Sequence, residues 1–530
     1  MSATSLNFVR RLGVLAGPAW FVYVFATTAA VSIVVAVNGL RGVDVPAQLF
    51  RVELFDLAGF TVWSPQWYAG HHTPLYSVLF PPLAHVFGLA SVGAAVTIAS
   101  VAVFGRLVRG RGEVAAALAT SVFAVAMVGN LVVGRITFAL GLVFALLAVA
   151  ALVRRTPAFD LLAILAGIAC ALASPLAAAS LAVVAGGWWL VERRTPIAAV
   201  AAATPLPVAV LGWFFPEGGT FPFTVPSLGF HLGACLAVAA VASGMPVVRV
   251  AALATAAAAI PLFVVPNPVG GNFTRLAMLA APAILAWFLL PGRILLFLVL
   301  AGPIIGWQVA PVITSLDGVA DPSAERAYHE PLIKWFEKEG LSNARVEIPV
   351  TRDHWEAAYV APMVPLVRGW ERQLDFKWDN VFYDDEQPLN PETYRQWLDE
   401  NAVHYVALPD TPLDSSSEVE AAMLTRGLPY LTIAWLGEHW TVWKVTEPVP
   451  IVDGPAKLVD LGPDRIVLDV RRPGDMVLRV HRSPHMVVSD EAGCVGGTDD
   501  GWTRVHALRA GRLEITTTVA PDRTPTCPGF

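Results

Sequence analysis

A chain of 530 residues that is 55% hydrophobic and only 15% charged, with a mean hydropathy of +0.58, does not have the composition of a soluble enzyme. Its formal net charge of -6 comes without any basic stripe interleaved with aromatics, which argues against nucleic acid as a partner. Most of the apolar weight precedes residue 313, and the polar, Trp-rich remainder is long enough for one or two cores of its own.

A membrane-spanning helix needs roughly 20 apolar residues between charged or Pro/Gly-rich breaks. That rule predicts helices over 13–37, 76–105, 114–130, 136–153, 159–174, 176–191, 196–214, 228–245, 249–265, 276–291 and 294–312, about eleven in all. The 76–105 stretch exceeds one span and carries Pro81 and Pro82, so a short re-entrant or interfacial helix should lead into the span proper. The first apolar segment has no small-residue cleavage site and reads as a retained helix. Arg10 and Arg11, the Arg106/Arg109/Arg111 cluster, Arg154 with Arg155, Arg193 with Arg194, Arg249 and Arg293 fall on alternate connections, which the positive-inside rule assigns to the cytoplasm. The N-terminus is then inside. The loop after the first helix, the turns at 130–135 and near Ser174, the loops 215–227 and 266–275, and the whole tail are outside, so the chain is expected in the plasma membrane.

The tail alternates helix and strand signals from about Asp321, with helical AERAYHEPLIKWFEKEG, PETYRQWLDENA and EVEAAMLTRG between strand-like ARVEIPV, HYVALP, LTIAWL and WTVWKV. Beyond Glu447 only short alternating runs remain, separated by Gly, Pro and Asp turns, a pattern of about seven sandwich strands. The predicted fold is a polytopic α-helical membrane domain (1–313), an extracytoplasmic α/β domain (314–447) and a C-terminal β-sandwich (448–530). Cys170 and Cys235 read as small buried hydrophobes within spans. Cys494 and Cys527 lie in the tail, where an oxidising compartment leaves a disulfide open.

The most informative stretch runs from Asn38 to His85 and gathers Asp44, Arg51, Glu53, Asp56, His71 and His72 beside a bilayer, where ionisable groups are costly unless they serve a site. Asp44 could take a proton from an attacking hydroxyl, or hold a divalent cation such as Mg or Mn shared with a phosphate. VPAQLFRVELFDLAGF reads as a helix flat on the interface, with Phe50, Leu54 and Leu57 in lipid and Gln48, Arg51 and Glu53 above. Trp63, Trp67, Tyr68 and Tyr76 form either an interfacial aromatic belt or a platform for sugar stacking. His71 and His72 are adjacent and point apart on an extended chain, so these two alone do not make a metal site. They stand as substrate contacts, with Gln48 and Asn272.

Two outward arginines break the charge bias, Arg135 in GNLVVGRITF and Arg275 in GGNFTRLAM. Each opens an outer helix end, where a guanidinium could grip a lipid-linked phosphate in bidentate fashion or snorkel to headgroups. The early tail, dense in Arg352, Asp353, His354, Trp355, Glu356, Arg368, Trp370, Glu371, Arg372, Asp375 and Tyr383, could bind a glycan or hold structural ion pairs and Trp anchors. No Walker loop, GxSxG elbow, HExxH or CxxC pair occurs.

The acid at Asp44 with Gln48 and Arg51 after it, the run Trp63-x-Pro-x-Trp-Tyr-x-Gly-x-x-x-Pro-x-Tyr76 and the FPPL at Phe80 resemble the GT-C superfamily of sugar-transferring membrane proteins. Within it the chain is similar to the actinobacterial-type branch labelled 6-pyruvoyl-tetrahydropterin-synthase-related membrane proteins, through GRITFALG, ASPLAA and RVEIPVTRDHWEAAYVA…RGWERQLD as well. The resemblance implies glycosyl transfer at the outer face, from a polyprenyl-phosphate sugar to a cell-envelope glycan, lipid or protein. Asp44 then matches the first-loop general base, and Arg51 joins Arg135 and Arg275 as donor-phosphate contacts. Gln48 stands where a His is usual, and Glu217 or Asp56 is left as the second acid. A lipid or sugar transporter, or a non-catalytic envelope scaffold, is the competing reading; a transporter should show charges deep within spans and inverted repeats.

Overall fold

The computed structural model describes residues 18–384, 386 and 388–520. Arg10, Arg11, Cys527 and the first five residues of the first predicted helix lie outside them. The chain forms two compact units. One comprises residues up to Val45 with Leu75–Trp213 and Thr220–Asp317; the other comprises Pro46–Pro74, Phe214–Gly219 and Gly318 onward.

The first unit is a helical bundle. In chain order its helices are α1 (Pro18–Val37), the first residue of α2 (Val45–Ala58), α3 (Phe80–Phe87), α4 (Leu89–Leu107), α5 (Glu113–Val133), α6 (Ile136–Arg154), α7 (Pro157–Ala173), α8 (Pro175–Glu192), α9 (Thr195–Ala203), α10 (Pro205–Phe214), α11 (Val225–Val241), α12 (Pro246–Val264), α13 (Arg275–Leu289) and α14 (Ile294–Asp317). Among the described residues nine helical segments are long and apolar enough to cross a membrane, and α7 and α11 are shorter apolar helices. This is a multi-pass membrane unit.

The long 76–105 stretch divides at Gly88, whose φ of +81° no β-carbon favours, into short α3 and spanning α4. Tight approaches between helices rest on small residues, as expected where lipid supplies no hydrophobic drive. A Cβ on Gly141 of α6 would fall 2.6 Å from the Ala177 Cβ of α8, and one on Gly187 of α8 would fall 2.8 Å from the Ala251 Cα of α12. Pro303 and Pro311 do not stop α14, which runs past the predicted end to Asp317.

Among its described residues the second unit contains an antiparallel pair, β1 (Trp63–Ser64) with β2 (His71–His72), and three four-stranded sheets. Strands β3 (Val346–Glu347), β4 (Tyr405–Pro409), β5 (Leu431–Leu436) and β6 (Trp440–Val445) form a sheet in the order β3-β4-β6-β5, with β3 parallel to β4 and the rest antiparallel. Helices α15 (Arg326–Lys338), α16 (Glu356–Tyr359), α17 (Arg372–Trp378), α18 (Pro391–Glu400) and α19 (Glu418–Arg426) accompany it. The C-terminal region is β-rich. Strands β7 (Val452–Asp453), β10 (Gly474–His481), β12 (Gly493–Gly497) and β13 (Trp502–Ala507) make one antiparallel sheet; β8 (Ala456–Leu461), β9 (Arg465–Val470), β11 (Met486–Val488) and β14 (Gly511–Thr517) make another. Alternate residues of both, among them Leu468, Leu478, Val480, Val505 and Ile515, share one buried core. Cys494 is disulfide-bonded.

The predicted interfacial helix is corrected by the structure. From Pro46 onward α2 belongs to the second unit, where Phe50 is fully buried and stacks on Trp67 with ring centroids 3.8 Å apart, and Leu54 joins Tyr328, Leu332 and Val360 in the same core. Leu57 alone of the three is exposed, and Gln48 and Arg51, expected in water, are buried. An apolar stripe at helical spacing fits lipid and protein equally well.

Candidate functional site

Asp44 lies in the first unit, on the turn leading into α2. Its backbone N–H donates to the Val133 carbonyl at 3.0 Å, and the preceding Val43 N–H reaches the Ser315 hydroxyl of α14 at 3.5 Å. Two glycines permit this approach. A Cβ on Gly42 would sit 2.1 Å from the Val132 carbonyl oxygen, and one on Gly134, with φ +87°, would sit 2.3 Å from Val45 Cγ2. Gly134 is also the left-handed cap that ends α5, so the same residue turns the chain toward Arg135 and lets the Asp44 loop close on it. Gly134→Ala is therefore expected to cost ~1–3 kcal/mol through overpacking and backbone strain. The thermal midpoint of the purified protein checks this against Gly186→Ala, where a Cβ meets nothing within 4 Å and the midpoint should hold.

The loop delivers the carboxylate between two cations from distant parts of the chain. Asp44 Oδ2 stands 3.0 Å from Arg275 Nη2 and 3.5 Å from Arg135 Nε. Arg135 precedes the first turn of α6, and its carbonyl accepts from the Asn130 side chain at 3.1 Å. Arg275 opens α13, and its Nη2 also donates to Asn272 Oδ1 at 2.8 Å. Burial, then the neighbouring Arg275 charge, lower the Arg135 pKa to about 10, with Asp44 acting in the other direction. Arg135 stays protonated at neutral pH, so the trio carries two positive charges against one negative. Such a cluster, with side chains only 9–18% exposed, suits an oxyanion with more than one charged oxygen.

A cavity of about 480 Å³ lies in the same unit. Its walls are apolar, from Phe138, Leu142, Leu276, Ala277, Ile284 and Trp287 among others. Phe138 is three residues past Arg135 and Leu276 adjoins Arg275, so the lining begins within one helical turn of both cations.

The structure gathers four of the predicted contacts, Asp44, Arg135, Arg275 and Asn272, into one cluster, through pairings that the sequence does not show. Tyr76, half-buried, also belongs to the first unit. His231 was missed: it is fully buried in α11, its Nε2 3.2 Å from the Thr255 carbonyl and its ring 5.6 Å from that of Phe273, two residues before Arg275. A lone histidine within an apolar span was the signal.

The remaining predicted contacts belong to the second unit and are engaged there. Arg51 pairs with Glu371, donates to the Ala47 carbonyl at 2.7 Å and lies over Trp67. Trp67 is fully buried and its indole donates to the Ala357 carbonyl; the Tyr68 hydroxyl donates to Asp375. These rings are core anchors, neither a lipid belt nor an open stacking face. His71 stacks on Trp67, and burial followed by the Arg51 charge lower its pKa to about 3, so it is neutral. His72 Nδ1 faces Glu217 at 2.8 Å and its Nε2 meets the Ser483 hydroxyl at 2.9 Å, which commits Glu217 to a structural pair. Asp56 is exposed and Gln48 buried. In the early tail Trp355 is buried and Arg368 pairs with Glu347 and Glu420, so the structural ion pairs and Trp anchors are what this segment provides. Among the described residues no group of three or more His, Cys, Asp and Glu could hold a metal ion.

No family model and no curated protein sequence matches the chain. Among solved structures the chain is similar to arabinofuranosyltransferase AftD from mycobacteria, at 14% identity and a TM-score of 0.45, over 94% of this chain and 57% of that one. It is likewise similar to a mutant of AftD, at 14% identity and a TM-score of 0.43, over 95% and 60%. The chain spans less than two thirds of the length of these proteins.

Proposed function

We propose that this chain is a membrane glycosyltransferase that moves a sugar from a polyprenyl-phosphate donor to a cell-envelope glycan, lipid or protein at the outer membrane face. The observation that carries the reading is the trio of Asp44, Arg135 and Arg275, together with an apolar cavity in the membrane unit whose lining includes Phe138 and Leu276, within one helical turn of the two arginines. The donor phosphate takes the two guanidiniums from Asp44, and the hydrocarbon follows the cavity. Its lining on α6 runs from Phe138 to Val153, a depth of roughly 22 Å at helical rise. Asp44, released from the arginines, accepts the proton of the attacking acceptor hydroxyl, while the arginines offset charge gathering on the departing phosphate. Asn272 positions Arg275 through its amide oxygen.

The test is transfer from a radiolabelled polyprenyl-phosphate sugar by the purified full-length chain. Arg135→Gln and Arg275→Gln should each raise the donor KM by about tenfold or more, the loss of one charge-assisted contact. Lysine at either position should restore the response only in part, since it cannot offer a fork. Unchanged donor KM in both glutamine variants would remove the phosphate role.

A further inference from the structure

In the second unit a different cationic group has no counter-charge among the described residues. Arg345, just before β3, is fully buried. Its Nη1 donates to the Asn401 carbonyl at 2.7 Å, and its Nε and Nη2 have no hydrogen-bond partner among the described residues. Those two nitrogens share one edge of the guanidinium, and their parallel N–H bonds form the fork that matches two oxygens of a phosphate or carboxylate. No carboxylate among the described residues answers them. The charge that acts on Arg345 is that of Arg479, a second cation, and together with burial it lowers the Arg345 pKa to about 9.

The neighbours repeat the pattern. Arg479 and His481 flank the core residue Val480 on β10, and Arg479 Nε and His481 Nδ1 are buried with no hydrogen-bond partner among the described residues, although the His481 ring is stacked between Trp378 and Trp502. His404, whose backbone N–H donates to the Arg345 carbonyl at 2.9 Å, has an unpartnered Nδ1 as well. The Arg345 charge depresses both histidines, after burial, to about 4 for His404 and about 3 for His481. Lys444 adds to the first and Lys377 to the second. A buried charge is retained in proteins when it is paired, so this collection of donors and cations calls for an anion.

We propose that the junction between the β3–β4 edge and β10 binds one small oxyanion of the phosphate class, chelated by the Nε–Nη2 edge of Arg345 and reached by Arg479. Because Arg345 is wholly covered, the occupant is a free ion rather than a phosphate carried on a glycan or lipid. It acts as the counter-ion that joins the mixed sheet to the C-terminal sheets. The inference stands apart from the proposed catalytic role, which uses other arginines in the other unit.

Equilibrium dialysis of the full-length protein with radiolabelled inorganic phosphate tests it, carried out in the Arg135→Gln/Arg275→Gln background so that the membrane site does not contribute. The expected result is one saturable equivalent per chain, with a thermal midpoint that rises with phosphate and not with chloride at equal ionic strength. Arg345→Met should abolish this binding, and Arg479→Gln, a change at a half-buried position that leaves the core alone, should weaken it by about tenfold or more. Absence of saturable binding in that background overturns the inference, as does equal binding in the Arg345→Met and Arg479→Gln chains. Neither outcome bears on transfer by the unmodified protein.

Discussion

Asp44→Asn is expected to lower the turnover of sugar transfer by about 10²–10⁴-fold, the usual worth of a positioned general base. The amide keeps the size of the side chain and the 3.0 Å approach to Arg275, so the loop held by Gly42 and Gly134 stays in place. What it loses is the ability to accept a proton and the negative charge that occupies the two guanidiniums. Those losses act on different constants. Turnover falls because the acceptor hydroxyl keeps its proton, whereas donor binding tightens or holds, because the phosphate no longer competes with a carboxylate for Arg135 and Arg275. A drop in turnover with a constant or lower donor KM is thus the signature, and Asp44→Glu should recover part of the rate. A variant that folds to the same thermal midpoint yet transfers at the unmodified rate would end the assignment of Asp44. If neither the variant nor the unmodified protein transfers sugar while lipid or sugar still crosses vesicles, the transporter reading takes over.

The parts of this site that were legible share one physical property. Asp44, Arg135 and Arg275 are charges at the ends of apolar runs, where a bilayer makes every ionisable group conspicuous. Their pairing was not legible, because it depends on two glycines that let the chain approach at residues 42 and 134, and nothing local marks which distant backbone those glycines face. The strands and helices of the tail were read from periodicity and turn residues, and the helices at Pro391–Glu400 and Glu418–Arg426 fall where their patterns put them. Periodicity does not name the neighbour, however. Phe50 and Leu54 carry the same stripe whether they meet lipid or Trp67, so Pro46–Pro74 could not be seen to join the second unit. The tail's charges were legible as structural ion pairs but not as particular ones: nothing local marks Glu347 and Glu420 as the partners of Arg368, and all three are buried.

That buried triad gives the largest expected effect on stability. Arg368 donates from Nε to Glu347 Oε1 at 2.8 Å and from Nη2 to both Glu347 and Glu420, the latter at 2.6 Å, while the Tyr394 hydroxyl donates to the other Glu420 oxygen at 2.6 Å. Arg368→Met leaves two carboxylates in an apolar core without their cation and is expected to cost ~3–5 kcal/mol. Replacing all three with apolar residues, Arg368→Met with Glu347→Leu and Glu420→Leu, should recover most of that loss, since the desolvation of the ions goes with them. The pH dependence follows from the same burial. Desolvation raises the pKa of both glutamates above their ordinary 4.5, and Arg368 is the largest influence lowering them again. Without Arg368 the folded carboxyls hold protons that the unfolded chain releases near 4.5, so stability falls as pH rises above that value until the folded pKa is passed. The variant should therefore be closest to the unmodified protein near pH 5 and furthest from it at pH 8. Denaturant unfolding followed by tryptophan emission reads the difference, and a loss that stays equal across that range would mean the glutamates are not what Arg368 holds. The consequence reaches beyond the triad. The next residue, Gly369, accepts from His354 Nδ1 at 3.1 Å and packs so closely that a Cβ there would lie 2.8 Å from the Trp67 ring. Releasing Arg368 should loosen the segment that seats Trp67 and Tyr68, and protease cleavage of the Pro46–Pro74 segment should rise in the variant at pH 8 before global unfolding is reached.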